Sequence, residues 1–200
     1  VLARQFDAAR ADIGAAQVGT SLDVPVCGEV TWRFTAEVPA GVSQNVVIVD
    51  QLPTGTVSFE VLSSRILSIG SGISAGDGST LPAVGAAGIS SDGTDPDNFN
   101  DRVTWNFGNL VAASGLVATR TMEFEVVARV MDTAQTSGGV TVTNTSSLSA
   151  TTLPAPITAT ATVDIVAPLL QIAKAITHNN GTAYSNPLDP HVVQAGDVLT

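Results

Sequence analysis

The sequence predicts an all-β fold in which two antiparallel sheets pack face to face as a sandwich. Short segments of alternating apolar and polar residues recur along the first 167 residues, and glycine and proline separate them. No segment shows a sustained 3.6-residue apolar period, so we expect few helices. Because alternation gives each strand one apolar face, many such strands bury these faces against one another in a sandwich.

The composition limits the class of protein. Hydrophobic residues make up 44% of the chain and charged residues only 13%, which supplies enough apolar material for a buried core. A formal net charge of −10, with eight scattered basic residues, argues against a nucleic-acid partner. The lone cysteine, Cys27, excludes an internal disulfide and is expected to be packed beside a turn glycine. No apolar run approaches the roughly 18 residues that a membrane-spanning helix needs.

Four strands are predicted before residue 70, after an alanine-rich start at 1–20 that fits either an edge strand or a short helical turn. The run 46–49 predicts a buried strand, and Asp50-Gln-Leu-Pro-Thr-Gly55 predicts the turn that follows it. Segments 56–62 and 66–69 are two further strands. The clearest strand spans 29–38, where every second residue is apolar: Val30, Trp32, Phe34, Ala36 and Val38.

The stretch from Gly70 to Asn100 interrupts this pattern. It is rich in glycine, serine, alanine and aspartate and has no sustained alternation. It is also longer than an ordinary connection in a compact domain. We therefore expect a long, partly extended excursion on the surface.

Strands resume at 103–107, which should end at Gly108-Asn109, and continue at 121–130, 140–144 and 158–165. Asn144 shares the phase of Val140 and Val142, so it should point inward and bond the backbone, although Asn144-Thr-Ser146 also matches an N-glycosylation pattern. The combined phases predict one sandwich core. It comprises Val30, Trp32, Phe34, Trp105, Phe107, Met122, Phe124 and Val126.

A self-similarity near the end of the chain predicts a tandem repeat with a partial second copy. The segment 192–200 aligns without a gap on 24–32, and Gly196 matches Gly28 168 residues earlier. That period suits whole domains in an array, with a first domain at 1–167 and the first strands of a second at 168–200. Two strands are at best marginally stable alone. We therefore expect a segment of a longer fibre-forming protein in which 169–200 lies in an inter-domain or inter-subunit contact.

Several of these motifs, in this order, resemble a known family. The motifs are Asp50-Gln-Leu-Pro-Thr-Gly55, Val103-Thr-Trp-Asn-Phe-Gly108, Val142-Thr-Asn-Thr145 and the junction Pro168…Lys174…Gln194-Ala-Gly-Asp197. They are similar to the prokaryotic surface-protein repeat called domain of unknown function eleven, over nearly the whole chain. The resemblance implies an immunoglobulin-like β-sandwich, repeated in large secreted or cell-wall proteins as a stalk, sheath or adhesin, and no enzymatic activity.

The acidic stretch inside the excursion is a candidate metal site. Asp92, Asp95, Asp97, Asn100 and Asp101 supply the oxygen ligands that calcium prefers. The spacing is not that of an EF-hand, and a solvated polar loop explains the same composition. Calcium is the one cofactor that the sequence suggests.

Lys174 is a candidate for a covalent cross-link in the second repeat. It shares a phase with Leu170, Ile172 and Ile176, so its amine points toward an apolar face. In fimbrial relatives of the family that the chain resembles, a first-strand lysine can bond to an asparagine on a late strand. The alternative is a lysine that snorkels to the rim of the sandwich. The matching start of the first copy, 1–8, contains no lysine.

Two classes of function are consistent with these observations. The favoured one is a structural repeat of an extracellular fibre, stalk or sheath, whose partners are other copies of the chain or adjacent repeats. The alternative is an adhesin module whose 70–100 loop contacts glycan or another cell, although Phe99 is the only aromatic residue in that loop. No serine lies beside a histidine in the sequence, and His178 and His191 lack a nearby acidic cluster, so no catalytic residues are expected.

Overall fold

The protein folds as two facing β-sheets, which confirms the predicted all-β fold class. This computed structural model describes residues 3–6, 22–93, 97–133, 136, 138–167, 178–179 and 182–183. Within these ranges a 3-10 turn at Val117–Arg120 is the one helical element, and no helix is long and apolar enough to cross a bilayer. The strands are β1 (Ala3–Phe6), β2 (Leu22–Pro25), β3 (Glu29–Glu37), β4 (Gly41–Gln51), β5 (Phe59–Ile69), β6 (Ile73–Ala75), β7 (Ile89–Ser91), β8 (Arg102–Ala112), β9 (Thr121–Val130), β10 (Val140–Ser149), β11 (Ile157–Val166), β12 (His178–Asn179) and β13 (Thr182–Ala183).

The strands form a four-stranded and a seven-stranded sheet. The order in the first is β1-β3-β9-β5, and in the second it is β2-β11-β10-β4-β8-β6, with β7 also paired to β8. All described pairs are antiparallel except β2, which runs parallel to β11. The chain divides into two compact units, Val1–Pro168 and Leu169–Thr200, and in the second unit β12 pairs with β13. The predicted domains, 1–167 and 168–200, stay predictions.

An aromatic cluster lies at the centre of the first unit. The ring of Phe124 on β9 stacks on Phe34 of β3 at a centroid distance of 5.1 Å. From the other sheet, Trp105 lies 4.9 Å and Phe107 lies 6.1 Å from the same ring. All eight predicted core residues are buried in a single cluster, so the predicted core is confirmed. Interlocked rings of this kind join the two sheets by area burial and by favourable ring geometry.

Bulges account for the strand boundaries that the alternation missed. The predicted strands 56–62 and 66–69 are one continuous strand, β5, with irregularities at Val61/Ser63 and Ile66/Ser68. Each bulge inserts an extra residue and reverses the phase of the side chains, which hides the strand from a period-two pattern. The strand β8 continues past its predicted end at Gly108-Asn109, through a positive φ of 66° at Gly108.

The excursion between β5 and β8 lies on the surface and is partly extended, as predicted, and backbone hydrogen bonds hold it along the side of the sandwich. Ile66 of β5 donates a backbone hydrogen bond to the Ala86 carbonyl at 3.0 Å and accepts one from Gly85 at 2.8 Å. The short strands β6 and β7 both pair with β8 of the opposite sheet. At Gly88 an added Cβ would lie 2.8 Å from Trp105 Cε2, so only glycine permits this close approach. The segment therefore covers the β5 edge and links the sheets.

Candidate functional site

A buried acid occupies the inner face of the seven-stranded sheet. Asp50 was predicted to begin a turn, but it lies in β4, opposite Ser146 of β10 and Val103 of β8, and its side chain is fully buried. The Ser146 hydroxyl donates to Asp50 Oδ1 at 2.5 Å. Asn144 Nδ2 donates to both carboxylate oxygens, at 3.1 and 3.2 Å. The turn prediction was wrong at Asp50. A charged residue that precedes Leu-Pro-Thr-Gly is expected to be solvent-exposed, whereas Asp50 is buried in β4.

Burial dominates the electrostatics of this cluster. Loss of solvent raises the pKa of Asp50 from 3.8 to about 6, although the hydrogen bonds from Ser146 and Asn144 act in the opposite direction. The prediction that Asn144 points inward is confirmed, since it is 3% exposed. The expected backbone partner was wrong, because its amide binds the Asp50 carboxylate instead. The cluster satisfies a buried acid that would otherwise be costly.

A second acid, Glu125 of β9, is buried on the outer face of the four-stranded sheet. It lies in register between Arg33 of β3 and Arg65 of β5. Arg33 Nε lies 2.7 Å from Glu125 Oε2, and Arg65 Nη2 lies 2.8 Å from Oε1. Both carboxylate oxygens are therefore paired by guanidinium groups, which crosslink three strands. Its phase is opposite to that of Phe124 and Val126, which fits the outer face, but the sequence gives no sign that it is only 2% exposed.

The predicted calcium ligands have different environments. Asp92 is exposed, whereas Asp101 at the end of the excursion is 1% exposed and its carbonyl accepts the Leu52 amide. Asp97 Oδ1 accepts the backbone amide of Phe99 at 2.9 Å. Asn100 donates its backbone amide and its Nδ2 to Glu60, at 2.8 and 3.3 Å. The remaining candidate, Asp95, lies outside the described residues.

The remaining candidates from the sequence are a metal cluster, Lys174, His191 and Cys27. Among the residues that the structure describes, no three histidine, cysteine, aspartate or glutamate side chains group as metal ligands. Lys174 and His191 fall outside the described residues. The expectation that Cys27 is packed was wrong: it is exposed at a turn with a φ of 66°, where its amide donates to the Val130 carbonyl.

The side of β11 that faces away from β10 is the candidate contact edge. β2 pairs with β11 along Val163–Val166, and no strand in the described ranges pairs with 157–161 on that side. Val26 donates to the Val166 carbonyl, whereas Gly139, next to β10, donates to that of Ile165. Because successive peptide groups of a strand point to opposite sides, the amides of Thr158 and Thr160 face away from β10.

A groove between the two sheets adjoins this edge. Its volume is about 260 Å³, and it is lined by Glu37 and Pro39 near the end of β3 and by Leu148 and Ile157. Ile157 begins β11 and is 42% exposed. Ala159 and Ala161 share its phase toward the sandwich interior and are only half-buried. Within the described residues, the sandwich is therefore thinly covered along this edge.

No protein-family model matches the chain, and a search of curated proteins finds no match. The resemblance to domain of unknown function eleven is thus not confirmed. Among solved structures, the chain is similar to the C-terminal domain of AspA, an antigen I/II-family protein of Streptococcus pyogenes (TM-score 0.49, 16% identity), over 82% of this chain and 46% of that one. It is also similar to a family 123 glycoside hydrolase from Clostridium perfringens (0.36, 8%), over 75% and 23%. The collagen-binding subdomain ACE19 of the Enterococcus faecalis surface protein ACE follows (0.35, 13%), over 72% and 93%. The chain spans less than half the length of the first two structures, and at these identities the similarities concern the fold alone.

Proposed function

We propose that this chain is a non-enzymatic structural repeat of a large secreted or cell-surface protein, and that it builds an extracellular fibre, stalk or sheath through β-strand contacts between domains or subunits. The observation that carries the proposal is the β11 edge at 157–161. Within the described residues no strand pairs with this edge, and strand amides beside a partly exposed apolar residue, Ile157, are a template for an added strand. The partners are other copies of the chain or adjacent repeats.

The occupant of this edge is the segment 169–176 of a neighbouring repeat or copy. In that segment Leu170, Ile172 and Ile176 share one face with Lys174, so an added strand would present a mainly apolar face. That face would pack over Ala159 and Ala161, whose small side chains leave room beside the core. Strand addition uses main-chain hydrogen bonds for affinity and such side-chain pockets for specificity.

The test is self-association of the 200-residue chain and of two variants at one edge position. Thr160→Pro removes an amide that faces away from β10, so the β10 ladder stays intact while strand addition is blocked. Thr160→Val keeps the amide and is the matched control. Sedimentation velocity and electron microscopy should show assemblies for the wild type and for Thr160→Val, and monomers for Thr160→Pro.

Two outcomes contradict the proposal. If the wild-type chain stays monomeric at all concentrations, strand-mediated assembly of this segment is wrong. If Thr160→Pro assembles as well as Thr160→Val, assembly does not use the β11 edge. Thermal unfolding of each variant must first establish that the proline has not unfolded the sandwich.

The second candidate function is an adhesin module that contacts glycan or another cell through the 70–100 segment. The observation that favours it is the exposure of two apolar side chains there, Val84 at 62% and Ile89 at 66%. Exposed apolar residues on a pinned segment could provide a contact surface. A glycan-array screen that compares the wild-type chain with a Val84→Ser/Ile89→Ser variant tests this function. If glycan binds through this segment, the wild type gives a signal and the variant loses it.

A further inference from the structure

The groove beside the β11 edge has an acidic residue at its rim. Glu37, the last residue of β3, lines the groove together with Pro39, Leu148 and Ile157. Ile157 is 42% exposed and Pro39 is half-buried, so both present accessible apolar surface. Glu37 has the opposite phase to the core residues of β3, which places its carboxylate at the outer rim of the groove and not on its floor. The groove thus combines apolar walls with a negative charge at its mouth.

The Glu37 carboxylate can accept a second basic group. Arg120 Nη2 lies 2.7 Å from its Oε1, which occupies one of the two oxygens. The arginine side chain is 13% exposed and the glutamate side chain is 47% exposed, so Glu37 is the accessible member of the pair. An ionised carboxylate has about four acceptor positions. Glu125 shows the same capacity in this sheet, because it holds Arg33 on one oxygen and Arg65 on the other.

The strand proposed to add at this edge carries a basic residue on its mainly apolar face. Lys174 is the only lysine of the chain, and it shares a phase with Ile172 and Ile176. When that face is covered, the ammonium group needs an acceptor, because a buried charge without one is costly. A lysine can meet this need by burying its stem and extending its amine to a rim. Residues two apart on a strand are separated by about 6.8 Å, so one isoleucine can enter the groove while the amine reaches its mouth.

We propose that Glu37 determines the specificity of the strand contact, and that its carboxylate binds the Lys174 amine of a second copy. This inference rests on the proposed function. An isoleucine of the same strand face then packs against Ile157. A shift of the added strand by two residues would place the amine over apolar groups without an acceptor. The ion pair therefore fixes which residues of the incoming strand meet the groove, and it rejects strands that carry an acid at this position.

Reversing each charge tests the pair between copies. Glu37→Lys and Lys174→Glu each bring like charges together at the contact, so each variant alone should associate roughly tenfold more weakly than the wild type. An equimolar mixture of the two variants should associate again, because the groove of each variant then meets the oppositely charged residue of the other. Sedimentation velocity of the 200-residue chains at matched concentrations measures both effects.

Glu29→Lys is the matched control. Glu29 begins the same strand and forms a comparable surface ion pair, with Arg129 Nη2 2.7 Å from its Oε1, but it does not line the groove. This variant should associate as the wild type does. Glu37→Gln removes the charge and keeps an oxygen acceptor for Arg120. It should weaken association roughly threefold, which keeps the pair testable if thermal unfolding shows that Glu37→Lys disrupts the sandwich.

Two results overturn the inference and leave the proposed strand contact standing. In the first, the wild type assembles and Thr160→Pro does not, yet Glu37→Lys and Glu37→Gln assemble as well as Glu29→Lys. In the second, the mixture of Glu37→Lys and Lys174→Glu associates as weakly as each variant alone. A wild-type chain that stays monomeric refutes the proposed function itself, and this inference with it.

Discussion

Replacing Asp50 by asparagine should make the sandwich more stable at neutral pH and flatten its response to pH. The Asp50 side chain is fully buried, and its surroundings consist of two neutral hydrogen-bond donors, Ser146 and Asn144. Burial therefore disfavours the charged form, which raises its pKa to about 6. An asparagine keeps one oxygen acceptor for Ser146 and removes the charge.

The size and sign of the effect follow from the two pKa values. Below the ordinary value of 3.8, Asp50 is protonated in both the folded and the unfolded chain and imposes no penalty. As pH rises from there to about 6, the folded state still holds a proton that the unfolded chain has lost, so the free energy of unfolding falls. Above about 6 the whole penalty is present. This penalty amounts to about 3 kcal/mol, because each unit by which the pKa of Asp50 is raised corresponds to ~1.4 kcal/mol.

Urea unfolding of the wild type and Asp50→Asn across this pH range measures the penalty as a difference. Subtracting the two curves removes the contributions of the other carboxylates, which act in both proteins. The variant should gain about 3 kcal/mol on the wild type between acidic and neutral pH. Asp23→Asn, which replaces an exposed carboxylate of β2, is the matched control for the loss of one acid. If the curves for wild type and Asp50→Asn run parallel, the carboxyl is not buried as the structure places it.

Three further predictions concern the core, the acidic stretch and the second repeat. Phe124→Ala should lower the free energy of unfolding by ~3–5 kcal/mol, because the ring is 0% exposed and contacts three other rings. Phe107→Ala is the comparison and should lower the free energy of unfolding by less. If urea unfolding shows a loss well under ~1 kcal/mol for Phe124→Ala, Phe124 is not in the core. We propose that calcium binds at 92–101, so adding calcium to chelator-stripped protein should raise the melting temperature. An unchanged melting temperature would mean that no calcium site is present there. If Lys174 forms a covalent bond to an asparagine, intact-mass measurement of a complete second repeat should show the loss of one ammonia, and an unchanged mass leaves a lysine that snorkels to the rim.

The alternation of residues predicted the fold well wherever a strand is regular. In β3 and β9 every second residue is apolar, and these residues form the observed core without a phase error. A period of two is decisive there because a slip of one residue would turn every apolar side chain to the solvent. The same rule failed at β5, where two bulges reverse the phase within eleven residues.

The buried acids could not be predicted, because their environments depend on strand order. Asp50 is buried by β8 and β10, which are more than fifty residues away in sequence, and Glu125 is buried by arginines on two separate strands. A single strand shows only which side a residue faces. The β11 edge was hidden for the same reason, since the alternation at 158–165 identifies a strand and not its position in a sheet. The one signal available beforehand was the inward phase of Asn144, which implied a polar partner inside the sandwich.

The two outer faces of the sandwich differ in a way that bears on where partners bind. On the four-stranded sheet, Arg33, Arg65 and Arg129 form ion pairs with glutamates of neighbouring strands. A partner that covered this face would have to desolvate charges already paired within the sheet, which costs free energy without forming new pairs. The opposite sheet presents rows of threonine and serine hydroxyls from β10 and β11, which lose little on contact with another polar surface. We therefore expect partner contacts on the seven-stranded sheet, while the paired charges of the four-stranded sheet stabilise the unit internally.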